Sequence, residues 1–219
     1  MKEIAQDVYL IEGLRMANVY LLASDGELAL VDTGMAGDID WIVAQIAEAG
    51  FDPAALASIL VTHAHPDHIG GLPKLARRYD ARVIAHQAEA PYLEGVEQMP
   101  PGSWVQRVMV WLGALFPGEP PQIEVGRGLE DGEVLDLLGG LRVIHTPGHT
   151  PGSMCLYQEE RHILFCGDLL FNGHPFTGRG DLQYPPRLFS VDPAEVQRSA
   201  RRLLDLEIDM VCPGHGDPI

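Results

Sequence analysis

Apolar positions come in short runs through the first third of the chain. Residues 8–11, 19–22 and 28–31 predict three β-strands, split by Gly13 and by a Ser24-Asp25-Gly26 turn. The period then changes. Ile39, Ile42, Val43 and Ile46 recur at i, i+3, i+4 and i+7, so a helix is expected after Asp38 as its cap, with Gly50 as the stop. A buried-type strand over 58–62 runs into His63, a helix is predicted over 71–79, and a strand over 82–85 follows. Strands alternating with helices point to an α/β layering.

The middle is less regular: 95–102 reads as a loop, and 103–116 as a helix capped by Ser103 and ended by Pro117-Gly118. Strands are predicted over 134–138, 141–145, 154–157 and 162–166, the last two joined by a turn at Glu159-Glu160. A final helix is expected from Asp192, its cap, and Pro193, with Val196, Ala200, Leu203 and Leu204 on one face. A strand over 209–212 then ends in Pro213-Gly214-His215-Gly216. No repeat, low-complexity segment or linker divides the 219 residues, which predicts one domain over 1–219 with a helical insertion at 95–121.

Composition narrows the function. Hydrophobic residues are 46% of the chain, too many for a disordered protein. Lys and Arg number 15 against 31 Asp and Glu, a net charge of −16, which opposes phosphate-held nucleic-acid binding and docking on anionic membrane. No apolar run approaches the roughly 20 residues needed to span a bilayer. The first ten residues show no apolar leader, and Cys155, Cys166 and Cys212 form no CxxC pair. A cytoplasmic protein with a small-molecule substrate, and no nucleic-acid or membrane partner, is expected.

The candidate chemistry is concentrated in His63-Ala64-His65-Pro66-Asp67-His68, four metal-ligand side chains within six residues at a strand end. Pro66 and Gly70-Gly71 disfavour a helix here, so a loop is expected. Imidazoles with a nearby carboxylate suit zinc and similar cations. Three further strand-end loops offer donors: His145-Thr146-Pro147-Gly148-His149, Gly167-Asp168 and Pro213-Gly214-His215-Gly216. Singly, Asp168 could cap a turn and His215 could be a surface residue. Together they supply a two-metal site, which needs one shared oxygen donor between ions roughly 3.5–4 Å apart. Asp168 stands alone on its loop and is the candidate for that role. Ser153 follows Gly152 but lacks a GxSxG elbow, which argues against a serine hydrolase.

The HxHxDH motif, His149 in HTPGHTPGS, the GDLLF of 167–171, the terminal PGHG and the VDTG of 31–34 together resemble the metallo-β-lactamase superfamily of hydrolases, in order along nearly the whole chain. The resemblance implies an αββα sandwich, two mixed β-sheets flanked by helices, with metals at one edge. It places His63, His65 and His149 on one metal, Asp67, His68 and His215 on a second, and Asp168 between them. It makes Asp32 a support for the ligand loop, and it gives His145 no ligand role. It implies a di-metal hydrolase in which a metal-bridging hydroxide cleaves a small ester, thioester or lactone, with Asp67 orienting the nucleophile or passing a proton. The ions would be two divalent metals, zinc or else iron or manganese. The family alternative is a mononuclear iron persulfide dioxygenase.

Within the family the likeness is to the glyoxalase-II type, without the C-terminal glutathione-binding domain of the full-length enzymes. Gly178-Arg179-Gly180-Asp181 resembles an element of that group. The helix of 103–116 carries Trp104, Val108, Trp111 and Leu115 on one face and Val105, Met109, Leu112 and Phe116 on the next, which is wider than one core-facing stripe. It reads either as a hydrophobic lid over the metals or as a surface buried in a homodimer. His174, Arg179 and Tyr184 are candidates for substrate contact or for ordinary loop structure.

Overall fold

The computed structural model describes residues 1–101, 122–173 and 180–219. The helix expected over 103–116, and His174 and Arg179, lie outside the described residues.

A seven-stranded sheet runs in chain order: β1 (Lys2–Ala5), β2 (Val8–Leu10), β3 (Tyr20–Ser24), β4 (Glu27–Val31), β5 (Leu56–Val61), β6 (Arg82–His86) and β7 (Arg127–Leu129). Its first four strands are antiparallel and β4 to β7 are parallel. The helices α1 (Ile39–Glu48), α2 (Pro66–Ile69), α3 (Leu72–Tyr79) and α4 (Ala90–Leu93) lie between these strands in sequence. The second sheet holds β8 (Val134–Leu135), β9 (Leu141–His145), β10 (Met154–Gln158) and β11 (Ile163–Gly167), with β14 (Met210–Pro213) parallel to β11 on its edge. A small hairpin pairs β12 (Phe171–Asn172) with β13 (Leu182–Gln183), and α5 (Pro193–Arg201) precedes β14.

Strand alternation sorts the apolar side chains into three layers. Tyr20 and Leu22 face Leu156, Ile163 and Phe165 between the sheets. Leu21, Leu30 and Ile59 turn the other way, onto Ile39, Ile42, Leu72 and Leu75 of α1 and α3. On the far side, Cys155, Tyr157, Leu164 and Cys166 meet Val196 of α5 and Leu203 just beyond it. Helix, sheet, sheet and helix therefore stack as an αββα sandwich.

Several expectations change in detail. Asp38 sits at the start of α1 but does not cap it; its Oδ2 accepts from Met35 N–H at 2.9 Å. Asp192 does cap α5, accepting from Ala194 and Glu195 N–H at 2.9 and 3.0 Å. The strand expected over 134–138 keeps only Val134–Leu135 as β8, because the chain turns at Leu138, Gly139 and Gly140, all with φ above 50°. Leu204 is 79% exposed rather than on the buried face, because α5 ends at Arg201 and the chain turns away. Pro66 does not prevent a helix: it opens the single turn α2 from its first position, where proline's missing N–H costs nothing. Among the described residues no helix is long and apolar enough to cross a membrane.

Candidate metal centre

The ligand motif follows from how β5 ends. After Val61 the chain passes through His63 and His65, two imidazoles within three residues, and enters α2, whose single turn carries Asp67 and His68. The loops after β9, β11 and β14 bring His149, Asp168 and His215 to the same edge of the sandwich. The structure thus gathers all seven predicted side chains in two donor sets. His63, His65, His149 and Asp168 form one, and Asp67, His68 and His215 the other, with the donor atoms of each set within 4.8 Å of one another.

Asp168 touches both sets. Its Oδ2 lies 3.2 Å from His149 Nε2, 3.3 Å from His215 Nε2 and 3.8 Å from His63 Nε2, and its Oδ1 lies 3.2 Å from His68 Nε2. Asp67 Oδ2 is 3.4 Å from His215 Nε2. Among the described residues, His68 Nε2, His149 Nε2 and Asp168 Oδ1 are buried without a hydrogen bond, close to one another but not aligned for one. Buried polar atoms are normally satisfied, so three orphans of ligand type in one cluster fit a bound cation.

The histidines are held from behind, through the nitrogen that faces away from the cluster. Thr62 Oγ1 donates to Asp32 Oδ2 at 2.7 Å and so accepts from His63 Nδ1 at 3.1 Å. His68 Nδ1 lies 2.7 Å from Asp32 Oδ2, and His149 Nδ1 lies 3.2 Å from Ser190 Oγ. Such partners fix the tautomer and aim Nε2 at a metal. Asp32 also accepts from Thr62 N–H at 2.8 Å. The PGHG loop is braced by Asn18 Nδ2 and Tyr20 Oη, which donate to Pro213 O at 2.9 and 2.7 Å. At Gly214 a Cβ would stand 2.2 Å from Asp168 Oδ1, so only glycine lets this turn press against that carboxylate.

Electrostatics follows burial and neighbours. Burial lowers the pKa of His63 well below its ordinary value, with His68 adding to the effect. His65 falls to about 3, first through burial and then through His149. Burial also opposes charge on His68 and His215, but carboxylates outweigh it. Asp168 and Asp32 hold His68 well above its usual value, and Asp168 and Asp67 bring His215 up to about 9. Burial opposes ionisation of Asp168, but His68, His149 and His215 hold it well below the ordinary range. Asp67 is lowered despite burial, chiefly by His215.

His145 stands outside both donor sets. Its Nε2 lies 2.9 Å from Pro151 O and its ring stacks on His86 at 3.8 Å. Ser153 is buried and bonded to Thr150, within 2.8 Å through the two hydroxyls. Sequence reasoning missed Glu89, Asn18, Tyr20 and Ser190, none of which lies in a motif. Glu89 is fully buried, and burial pushes its carboxyl up to about 7 against the pull of the donors of Ala64, Thr150 and Gly152. In front of the donor sets lies a cavity of about 450 Å³, whose walls include Met16, Met35, Phe171 and Phe189.

A sandwich edge that gathers histidines and carboxylates into two such sets defines a metallo-hydrolase. The family model of the metallo-beta-lactamase superfamily matches residues 13–215, and the chain belongs to that superfamily. The probable metallo-hydrolase YflN of Bacillus subtilis (strain 168) is 30% identical over 219 residues, covering 94% of this chain and 83% of that protein. The human acyl-coenzyme A thioesterase MBLAC2 is 32% identical over 172 residues, covering 72% of this chain and 59% of that protein. Among solved structures, TTHA1623 in a di-iron-bound form superposes with a TM-score of 0.68 at 32% identity, covering 94% of this chain and 91% of that one.

Proposed function

We propose that the two donor sets hold two divalent cations, zinc or else iron or manganese, with Asp168 shared between them, and that the enzyme hydrolyses a small ester, thioester or lactone. The observation that carries this reading is the placement of Asp168, whose Oδ2 faces His63 and His149 while its Oδ1 faces His68. Cations bound there would supply Lewis acidity and lower the pKa of water from 15.7 to about 7.

The chain's own residues supply the rest. Asp67 is held ionised beside His215 and borders the cavity, so it can orient the attacking water or take its proton. Met16 and Met35, 49% and 40% exposed at the cavity, join Phe171 to give an acyl group an apolar wall. The acyl-coenzyme A thioesterase named above supports a thioester among the three bond types. A mononuclear iron persulfide dioxygenase would hold its iron with the first set alone, whereas Asp67, His68 and His215 form a second donor set here, which supports two cations.

The test is metal content with activity. Two zinc, iron or manganese ions per chain, loss of acyl-thioester, ester or lactone hydrolysis on chelation and its return on reconstitution are expected. One iron per chain with oxygen uptake on a thiol persulfide would overturn the proposal.

A further inference from the structure

The first donor set is split between two loops that are far apart in sequence. His63 and His65 flank Ala64, whereas His149 precedes Thr150. One buried side chain spans the gap. Glu89, at the turn between β6 and α4, accepts from Ala64 N–H through Oε1 at 2.6 Å. Its Oε2 accepts from Gly152 N–H at 2.7 Å and from Thr150 Oγ1 at 2.9 Å. Both loops are therefore fastened to the two ends of one carboxylate that is 0% exposed. The contact is close: a Cβ on Gly152 would stand 2.3 Å from Glu89 N and 2.6 Å from Oε2.

A second buried carboxylate does a different job. Asp32 grips Thr62 and His68, so it reaches both donor sets, whereas Glu89 touches only loops that carry the first. From this juxtaposition we infer that Glu89 is a positioning residue that sets the spacing of His63 and His65 against His149, and thereby the affinity for the cation of that set alone. This rests on the reading that the set holds a cation.

An acceptor is required at both ends of the Glu89 side chain. Glutamine supplies one at one end only and turns an amide N–H₂ toward an N–H at the other, leaving that donor buried and unsatisfied. The neutral isostere therefore separates positioning from bulk.

The metal-free protein and its Glu89→Gln variant are titrated with Zn²⁺ against a chromophoric chelator and with Co²⁺ by visible absorption. His149→Ala and His215→Ala identify which binding step belongs to which donor set. Glu89→Gln is expected to weaken the step that His149→Ala abolishes by roughly 10–100-fold and to alter its Co²⁺ spectrum. The step that His215→Ala abolishes should keep its affinity. A folded variant with both steps unchanged, or with only the His215 step weakened, would overturn the inference. Wild-type protein that binds neither ion would instead refute the metal assignment itself. If Glu89→Gln fails to fold, Thr150→Val, which deletes one of the three bonds, should weaken the same step several-fold, and an unaltered step would overturn the inference.

Discussion

Asp32 Oδ2 lies 2.7 Å from both His68 Nδ1 and Thr62 Oγ1, so one oxygen ties the short helix α2 to the residue that precedes His63. Asp32 takes a left-handed backbone, φ 60°, to reach both. Aspartate and asparagine tolerate that conformation better than other side chains. Asp32→Asn should thus keep the backbone while removing the charge behind His68 and one of the acceptors. Retained metal and kcat/KM, measured together after dialysis, are expected to fall roughly 10–100-fold. Wild-type values for both would show that the contact is decorative.

Asp168 carries a larger share, because its own oxygens lie directly against histidines of both donor sets, 3.2 Å from His68 and from His149 and 3.3 Å from His215. Asp168→Ala is expected to abolish most hydrolysis and to lower bound metal per chain, read by elemental analysis. His149→Ala should do likewise. His145→Ala should leave metal content near wild type, since its ring bonds Pro151 O and stacks on His86 instead. Equal metal loss from the two histidine variants would contradict the site as drawn.

The candidate centre was legible because its donors are dense in sequence or sit beside glycine and proline at strand ends. Three histidines in six residues have no packing explanation, and the PGHG and GHT turns mark their own position. Apolar alternation gives the order of strands and helices, whereas their division into two mixed sheets comes from the resemblance to the family. Supports such as Glu89, Asn18 and Ser190 were illegible because each is a lone polar residue whose partner is set by tertiary contact. The turn of α2 is hidden in the sequence because Pro66 reads as a helix breaker, whereas it stands at the first helical position, where proline is tolerated. Leu204 differs from its expected buried place because the apolar period continues in the sequence beyond Arg201, where α5 ends.

That last difference has a measurable consequence. Phe165 is 0% exposed between the sheets, edge-on to Tyr20 with ring centroids 5.4 Å apart. Phe165→Ala should cost about 3–5 kcal/mol of stability in urea unfolding. Leu204→Ser, on an apolar residue that is 79% exposed, should stay within about 0.5 kcal/mol. A large loss from Leu204→Ser would mean that this side chain is covered.

His86 gives the fold a built-in response to acid. Burial lowers its pKa from 6.5 to about 4, with His145 stacked on it adding to the effect and Asp131 opposing it. Its Nδ1 accepts from Ala88 N–H at 3.2 Å, a bond the protonated ring cannot keep. As pH falls from 6.5 toward 4 the unfolded chain takes up this proton before the folded one does. The contribution is therefore whole above pH 6.5 and is lost across that window as acid rises. His86→Gln, whose amide oxygen can still accept from Ala88, removes the proton from the balance. Urea midpoints of the metal-free proteins at neutral and mildly acidic pH should show a smaller drop for the variant than for wild type. Equal drops would mean that His86 stays neutral in neither state more than the other, and would discard this account of its acid response.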